Sequence, residues 1–490
     1  MPDRERPNIL LITADQLRYD HTGFAGHPVV RTPNLDALAA AGTTFTQTYA
    51  PAAVCVPSRQ SILTGQYPSA HGAMSNQSSV PEGTPTIASR LRDSGYRTAA
   101  IGKMHFEPVY AAYGFDHMRL AEQNGQGWRI DDYHATFLRQ RGLVDQWDLW
   151  DQQYEHRLEA PKRYWDSFGT ATSELPDEAY HTTWIADETI RWIAERPSDA
   201  PFFAWTSFIK PHHPFDPPAP YDRMYDPGEV PLPTGWPDGW RDKPLAHVLG
   251  DPRMGYFDVR DMSERALRTV AAHYYGLITH IDHHVGRIVA TLEQQGIRDR
   301  TWIVFTSDHG DYLGQYGLFL KYPNVPYDAL ARVPLVVAGP GGAEPQGRAV
   351  DDLASLIDLL PTFCTFAGAT PPAGTQGVDL APLLRGDACG LEPRSVLIEG
   401  NDGFKGVRTR DYKLLYHRSG QTTELYDLEN DPDETRNVAA DRPDIVREHL
   451  AHLVDHLIDG ARDRYVFDEN PAMVRFDDRD GAVRPSPDED

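Results

Sequence analysis

The sequence predicts an α/β protein with a large doubly wound mixed sheet flanked by helices and a smaller C-terminal α+β domain. Short apolar runs alternate with helical segments over most of the chain, which is typical of strands buried on both faces of a sheet. After Gly386 the pattern changes to short strands separated by turns. Because 490 residues exceed one ordinary core, we expect one domain over 1–386 and a second over 387–490, ending in a charged tail.

The large domain has five predicted strands, each a short apolar run. They lie at residues 8–13, 97–101, 201–208, 301–307 and 333–338. Start and stop signals predict helices at 32–42, 55–65, 84–95, 182–195 and 267–292, and the start of a short helix at 375–380. The longest helix carries an apolar stripe and three histidines that we expect at the surface: His280, His283 and His284.

Residues 119–178 are polar and aromatic without a clear period, which indicates an insertion or a lid. We expect most of its large aromatic side chains in the core and some at a substrate pocket: Trp128, Trp147, Trp150, Tyr154 and Trp165. In the C-terminal domain we expect strands at 395–399, 406–410 and 413–416 and a helix at 445–457.

The charge and the cysteine count restrict the function. A net charge of −24 argues against nucleic acid or an anionic membrane as partner, so an anionic substrate needs a local cationic pocket. Three cysteines, Cys55, Cys364 and Cys389, build no disulfide framework and fit a reducing compartment. The apolar run after the N-terminus is too short for a signal peptide, and no window approaches a membrane span. We therefore expect a cytoplasmic protein.

Cys55 is predicted at or just before a helix N-terminus, where free N–H groups favour negative charge. Arg59 follows four residues later, so both side chains rise on one face of the helix. A buried structural cysteine and a thiolate nucleophile both fit these two residues alone.

Three predicted strand ends deliver polar residues to one edge of the sheet, where open parallel sheets place their ligands. These residues are Asp15 with Gln16, Lys103 with His105, and Asp308 with His309. Two carboxylates with amide and imidazole groups can hold a divalent cation, and the oxygens favour Ca²⁺. Lys103 and His105 are two residues apart, so an extended chain would place them on the same side.

The segment at 55–65, Cys-Val-Pro-Ser-Arg followed by Leu-Thr-Gly, resembles the signature of the type I sulfatases of the alkaline phosphatase superfamily. Residues 95–105 resemble a second signature of that family, 211–214 resemble its Pro-His-x-Pro segment, and 425–432 resemble its C-terminal domain. The likeness runs from about Asn8 to Asn437, with gaps in the 119–200 region. Val56 is bulkier than the small residue usual in the signature.

This resemblance implies a set of roles for the matching residues. Cys55 would be oxidised by a formylglycine-generating enzyme to formylglycine, whose hydrate attacks sulfur with the help of Arg59. Lys103 and Lys321 would grip the sulfuryl oxygens of a small anionic ester. His212 would assist the leaving group, and His105 would act as the base that expels sulfate and regenerates the aldehyde.

The resemblance also implies one divalent metal, held by Asp15, Gln16, Cys55, Asp308 and His309. The family often has Asp where this chain has Gln16 and Asn where it has His309. Imidazole suits Mn²⁺ better than the hard Ca²⁺ ion, so Ca²⁺ is the expected metal and Mn²⁺ the alternative. Both departures also occur among phosphonate monoester hydrolases and choline sulfatase-like members.

The predicted function is therefore hydrolysis of sulfate monoesters. One alternative is a phosphonate monoester or phosphodiester hydrolase with the same nucleophile. Another is a catalytically silent anion-binding protein, if Cys55 is never modified. The sequence leaves the sulfated substrate and the oligomeric state open, and a homo-oligomer is compatible with it.

Overall fold

The computed structural model describes residues 6–123, 132–152, 154–244, 253–341, 345–387, 390–391, 394–400, 403–418, 422–464, 475–476 and 483–484. Its centre is an eight-stranded mixed sheet in the order β5-β4-β6-β1-β7-β8-β2-β9. The strands are β1 Asn8–Asp15, β2 Thr43–Phe45, β4 Arg97–Gly102, β5 His117–Leu120, β6 Phe202–Pro211, β7 Thr301–Ser307, β8 Leu335–Ala338 and β9 Arg348–Val350. A two-stranded sheet pairs β3 Thr48–Tyr49 with β10 Ala354–Ser355. The predicted fold class is confirmed.

The central strands run parallel and are buried on both faces. β1 lies between β6 and β7, with Leu11 opposite Trp205 on one side and Val304 on the other. β4 and β5 extend the parallel part, whereas β8 runs antiparallel to β7 and β2 antiparallel to β8. The carboxyl ends of β1, β4, β6 and β7 therefore meet at one edge of the sheet.

Helices cover both faces of this sheet. In chain order they are α1 Pro33–Ala41, α2 Cys55–Thr64, α3 Pro68–His71, α4 Ile87–Asp93, α5 Tyr133–Gln140, α6 Gln146–Gln152, α7 Tyr154–Leu158, α8 Lys162–Asp166, α9 His181–Glu195, α10 Glu264–Gln294, α11 Asp328–Ala331, α12 Leu359–Ala367 and α13 Ala381–Arg385. The long helix α10 is amphipathic, and its apolar side is buried in the largest hydrophobic cluster.

The C-terminal part contains an antiparallel sheet of β11 Val396–Glu399, β12 Phe404–Arg408, β13 Tyr412–His417 and β14 Thr422–Asp427. Helix α14, Pro443–Arg464, packs against β12 and β13. A short hairpin pairs β15 Arg475–Phe476 with β16 Val483–Arg484. The change to short antiparallel strands after Gly386 supports a domain boundary there, which we propose on that ground.

Several details differ from the sequence-based expectations. Helix α4 begins at Ile87 rather than at 84, because the Thr86 hydroxyl accepts the backbone N–H of Ser89 and caps it. The helix expected from 375 begins at Ala381. The expected insertion at 119–178 contains the four short helices α5 to α8, and it buries Trp147 in the core. Trp128, Cys389 and most of the charged tail lie outside the described residues.

Two of the histidines on α10 that we expected at the surface are not there. His280 and His284 are buried against α9 and the residues before it, and only His283 is exposed. The expectation was wrong because these two rings face a neighbouring element that the stripe on α10 does not reveal. Over the described ranges, no helix combines the length and the apolar character needed to cross a membrane.

Candidate active site at the carboxyl ends of the strands

The site is built where four parallel strands end. β1 ends at Asp15, and Gln16 turns the chain with a left-handed φ of 68°. β4 ends at Gly102, whose φ is 94° and whose missing side chain leaves room for β6. A Cβ there would lie 2.1 Å from the carbonyl oxygen of Ser207, so only glycine fits.

Cys55 is the first residue of α2 and is 1% exposed. Its sulfur lies 3.1 Å from Nε2 of His309, 3.3 Å from Nζ of Lys321 and 3.8 Å from Oδ1 of Asp15. The helix that carries it is buried along its whole length and ends at Gly65, whose φ is 67°. Cys55 is therefore fixed at the centre of the polar edge.

The charges around Cys55 favour an anion at that position. Burial and Asp15 raise the pKa of the Cys55 thiol, but Lys321, His309 and a hydrogen bond with His105 outweigh them and hold it well below its usual range. Unmodified Cys55 is thus a thiolate in this site. Any oxygen nucleophile made at the same carbon would be stabilised as an anion by the same groups.

Arg59 joins the strand ends to one another. Its Nε lies 2.7 Å from Oδ2 of Asp308, and Nη2 lies 3.3 Å from Oδ2 of Asp15. Its Nη1 donates to the carbonyl oxygen of Lys103 at 2.6 Å and to the hydroxyl of Ser207 at 2.9 Å. Burial opposes its charge, but Asp308 and Asp15 raise its pKa further, so Arg59 is a permanent cation that clamps β1, β4, β6 and β7 together.

The predicted metal ligands converge beside the sulfur. Ligand atoms of Asp15, Cys55, Asp308 and His309 all lie within 4.8 Å of one another, and all four residues are buried. His309 donates Nδ1–H to the carbonyl oxygen of Gly310 at 2.9 Å, which points Nε2 at Cys55 and at Asp15. Two carboxylates and one imidazole nitrogen form a donor set that fits a divalent cation.

Gln16 is next to this cluster and bonded to its neighbours. Its amide oxygen accepts from Nζ of Lys321 at 3.0 Å, and its backbone N–H donates to Oδ1 of Asp308 at 3.1 Å. Its amide nitrogen donates to Asp311. The side chain therefore offers one neutral oxygen at the edge of the cluster, which agrees with the place expected for it.

Lys321 and His212 form a hydrogen-bonded pair beside Cys55. Nζ of Lys321 lies 2.8 Å from Nε2 of His212, whose Nδ1 lies 2.7 Å from the carbonyl oxygen of His213. Burial and then Lys321 hold the pKa of His212 well below its usual range. His212 is thus neutral with its proton on Nδ1, and the ammonium group of Lys321 donates to Nε2.

Lys103 and His105 both reach the site, but not by an extended chain. β4 ends at Gly102, and His105 has a left-handed φ of 55°, so the extended chain expected over Lys103 and His105 is not formed. Nζ of Lys103 lies 2.7 Å from Oδ2 of Asp15. The Glu122 carboxylate accepts the backbone N–H groups of Met104 at 2.8 Å and of His105 at 2.9 Å, and so shapes the loop.

Sequence reasoning missed three residues that support this loop: Glu122, Gln123 and Ser207. Gln123 accepts from Lys103 at 3.3 Å through its side-chain oxygen. Glu122 and Gln123 follow β5, which runs parallel to β4, so they stand at a strand end like the residues that were found. Their position after a strand could not be read from the sequence, because β5 is short, His-Met-Arg-Leu, and has no apolar run.

A buried cysteine at a helix start, among paired carboxylates and fixed cations at the strand ends of a large mixed sheet, defines a hydrolase site of the alkaline phosphatase superfamily type. The family model described as "Sulfatase" matches residues 7–369, and the chain belongs to the sulfatase family, whose members hydrolyse sulfate esters. The enzyme class expected from the sequence is confirmed. A model described as "N-sulphoglucosamine sulphohydrolase, C-terminal" matches residues 314–459.

Relatives match along nearly the whole chain. An arylsulfatase of Clostridium perfringens is 31% identical over 476 residues, covering 92% of this chain and 93% of that protein. A multifunctional alkaline phosphatase superfamily protein of Trinickia caryophylli is 28% identical, and the match covers 89% of this chain and 92% of that protein. The crystal structure of a phosphonate monoester hydrolase of Agrobacterium radiobacter is similar with a TM-score of 0.77 at 27% identity, covering 98% of this chain and 100% of that chain.

Proposed function

We propose that this protein hydrolyses sulfate monoesters through a formylglycine made from Cys55. The observation that carries the proposal is the placement of Cys55, whose sulfur lies 3.1 Å from His309 and 3.3 Å from Lys321 beside two buried carboxylates. A hydrated aldehyde at this carbon would have its oxygen among the same cations. The similarity to the arylsulfatase of Clostridium perfringens supports sulfate as the transferred group.

The first transfer breaks the bond between sulfur and the ester oxygen. An oxygen of the converted Cys55 attacks sulfur from one side, while Lys103 and Lys321 neutralise the sulfuryl oxygens. Lys103 carries a charge for this because Asp15 and Cys55 raise its pKa against the effect of burial. The ammonium group of Lys103 is paired with Asp15, and that of Lys321 lies 3.3 Å from the Cys55 sulfur.

The departing oxygen needs a proton, and the pair of Lys321 and His212 can deliver it. Nε2 of His212 accepts from Lys321 at 2.8 Å in the resting site and Nδ1–H is held by the carbonyl oxygen of His213, so the ammonium group of Lys321 is the proton donor and His212 orients it toward the leaving oxygen. This extends the role expected for His212, which by itself is neutral and has no proton on Nε2.

The second step regenerates the aldehyde and expels sulfate. It requires a base for the remaining hydroxyl of the converted Cys55, and we assign that role to His105. His105 forms a hydrogen bond with Cys55, so one of its ring nitrogens already lies where the hydroxyl proton of the converted Cys55 would be taken up. Glu122 fixes the loop that presents it.

One divalent cation completes the site, held by Asp15, Asp308 and His309 with the oxygen of Gln16 and the converted Cys55 nearby. When bound, it lowers the pKa of the attacking oxygen and neutralises charge on the sulfuryl group. Carboxylate and amide oxygens favour Ca²⁺, whereas the imidazole favours Mn²⁺.

A phosphonate monoester or phosphodiester hydrolase is the second candidate. The observation that favours it is the likeness to the Agrobacterium radiobacter phosphonate monoester hydrolase, which extends over the whole of that chain. Lys103 and His105 argue for sulfate, because such hydrolases typically carry uncharged polar residues at the matching positions. We therefore expect kcat/KM for sulfate monoesters to exceed that for phosphonate monoesters.

The proposal is tested on metal-loaded protein made together with a formylglycine-generating enzyme. Peptide mass spectrometry should find the aldehyde or its hydrate at Cys55, and Cys55→Ala should abolish turnover of a panel of sulfate, phosphate and phosphonate esters. Fully active protein that contains only the thiol would refute the formylglycine.

The role of His105 is tested separately. His105→Ala should stall after the first transfer and leave a sulfated adduct at Cys55, visible as a mass increase on the Cys55 peptide after brief exposure to substrate. Faster turnover of phosphonates than of every sulfate ester, with rates unchanged in His105→Ala, would reverse the assignment of substrate class.

A further inference from the structure

A second cluster of metal-ligating side chains lies outside the active site, between α9 and α10. It consists of His280 and His284 from α10, Asp177 from the segment before α9, and Thr183 from the first turn of α9. The two histidines are one helical turn apart, so both rings project from the same face of α10. Both rings are buried, whereas the Asp177 carboxylate is 46% exposed and opens the cluster to solvent.

Five of the six distances among the four polar atoms are of hydrogen-bond length, and the sixth, between Asp177 and His284, is below 4.8 Å. Nε2 of His280 lies 2.9 Å from Oδ1 of Asp177 and 2.9 Å from Nε2 of His284. The Thr183 hydroxyl oxygen lies 3.2 Å, 3.4 Å and 3.0 Å from Asp177, His280 and His284. Ligands about 2.0 Å from a tetrahedral Zn²⁺ stand about 3.3 Å apart, so these spacings match the edges of a zinc site.

Hydrogen bonds do not account for every close contact in this cluster. Five contacts of hydrogen-bond length join the four atoms, but neutral rings and Thr183 supply at most three hydrogens, so at least two of the contacts have no hydrogen of their own.

One contact opposes metal binding in the present arrangement. Nη1 of Arg287 lies 3.0 Å from Nδ1 of His284, and donation to Nδ1 leaves the ring proton on Nε2. A metal on Nε2 requires the proton on Nδ1, so Arg287 has to turn away. Its Nη2 is bonded to Asp187 at 2.8 Å, which gives the guanidinium another partner. Arg287 thus limits the affinity of the site.

We propose that Asp177, His280 and His284, with Thr183 at the fourth corner, form a zinc site that is separate from the active site and ties α9 to α10. Two imidazoles and a carboxylate suit Zn²⁺, whereas the oxygen-rich ligands beside Cys55 suit a harder ion. The site has a structural role, because its ligands lie between the packed helices α9 and α10 and away from the edge of the sheet where Cys55 lies.

The test uses a Cys55→Ala, Asp15→Asn, Asp308→Asn background, so that the active-site ligands do not hold the added metal. After chelation, this protein should bind one equivalent of Co²⁺ with the intense visible absorption of a four-coordinate ion, and Zn²⁺ should displace it. Adding Asp177→Asn should weaken Zn²⁺ binding by about tenfold or more, and His280→Ala should abolish it. Asp177→Asn alters a half-exposed side chain, so it tests the site even where His280→Ala fails to fold.

Two variants on α10 serve as controls. His283→Ala removes an exposed imidazole beside the site and should leave the Zn²⁺ affinity unchanged. Arg287→Ala should tighten Zn²⁺ binding, because it removes the contact to Nδ1 of His284. An unchanged dissociation constant for Zn²⁺ in both Asp177→Asn and His280→Ala, or no bound Co²⁺ in the background protein, would overturn the proposal.

Discussion

His309 shows how a single residue sets the charge of the candidate metal site. Its Nδ1–H is held by the carbonyl oxygen of Gly310, and its Nε2 faces Cys55. Burial disfavours its charge, but Asp308 and Cys55 raise its pKa to about 9. Without a metal, this imidazole is therefore a cation that balances the carboxylates, and a bound cation would take over that charge.

His309→Asn should change the metal preference of the enzyme. Replacing a nitrogen ligand by an amide oxygen favours Ca²⁺ over Mn²⁺, and we expect Mn²⁺ affinity to fall by about 10–100-fold while Ca²⁺ affinity is kept. Activity of the metal-stripped variant, measured against added Ca²⁺ and Mn²⁺, checks this. Equal losses with both ions would show that the imidazole of His309 does not set the metal preference.

At the scale of elements, α10 supports the loop that carries the candidate metal ligands. The Tyr274 hydroxyl donates to the carbonyl oxygen of Gln16 at 2.7 Å and accepts the backbone N–H of Arg18 at 3.2 Å. These bonds hold the turn directly after Asp15, where the backbone is in the left-handed region. The position of Asp15 therefore depends on a helix far away in the sequence.

Tyr274→Phe should lower kcat several-fold and cost about 1–2 kcal/mol of stability, because two backbone groups lose a buried partner. Tyr225→Phe is the matched control, since its hydroxyl bonds Thr279 of the same helix at 2.6 Å, away from the turn after Asp15. It should cost similar stability at full kcat. Denaturant titration and steady-state kinetics on both variants check the expectation, and equal kcat in both would contradict it.

The segment between β1 and α1 should make stability depend on pH through His27. Its Nδ1 accepts the backbone N–H groups of Val29 at 3.1 Å and Val30 at 2.9 Å, so the folded state holds the ring neutral. Burial, and then His21, lower its pKa from 6.5 to about 4. Between these values the unfolded chain binds more protons, so stability is lost as the pH falls from 6.5 to 4.

His27→Asn keeps an acceptor for these N–H groups but cannot titrate. The variant should lose stability less steeply than the wild type below pH 6.5, by a fraction of the about 1.4 kcal/mol per pH unit that one proton gives, since the ring is half-exposed. Unfolding free energies measured from pH 7 to pH 4 check this. Parallel curves for the two proteins would show that His27 does not contribute.

The elements that could be predicted are those that carry their own signal. β1 and β7 are apolar on both faces, and their ends located Asp15 and Asp308 from the sequence alone. β2 has three residues and β5 has no apolar run, so pairing with longer strands decides their structure. For the same reason Glu122 was missed, and the burial of His284 depends on a packing partner in α9.

At the scale of the whole molecule, a buried ion network joins the C-terminal sheet to the large domain. Nζ of Lys413 on β13 lies 2.7 Å from Asp328 of α11 and 2.7 Å from Glu434, and it is fully buried. Glu434 also accepts the backbone N–H of Asp328 at 2.7 Å. Burial opposes the charge of Lys413, but Asp328 and Glu434 raise its pKa, so Lys413 keeps its positive charge.

Lys413→Met should destabilise the protein by about 3–5 kcal/mol, because it leaves the buried Glu434 carboxylate and the partly buried Asp328 carboxylate without their cation. Arg410→Ala removes an ion pair with Asp351 whose side chains are 62% and 71% exposed, and should cost less than about 1 kcal/mol. Thermal and denaturant unfolding of both variants check the difference. Similar midpoints for Lys413→Met and the wild type would contradict the role of the network.

The burial of Cys55 restricts the time at which this residue can be modified. With 1% of the residue exposed and every neighbour in α2 buried, no modifying enzyme can surround its sulfur once the domain has folded. The proposed conversion to formylglycine would therefore have to be finished before the chain folds. On this proposal a chain that folds first would be stable but inactive, and the yield of active protein would depend on the rates of conversion and of folding, not on the stability of the folded product.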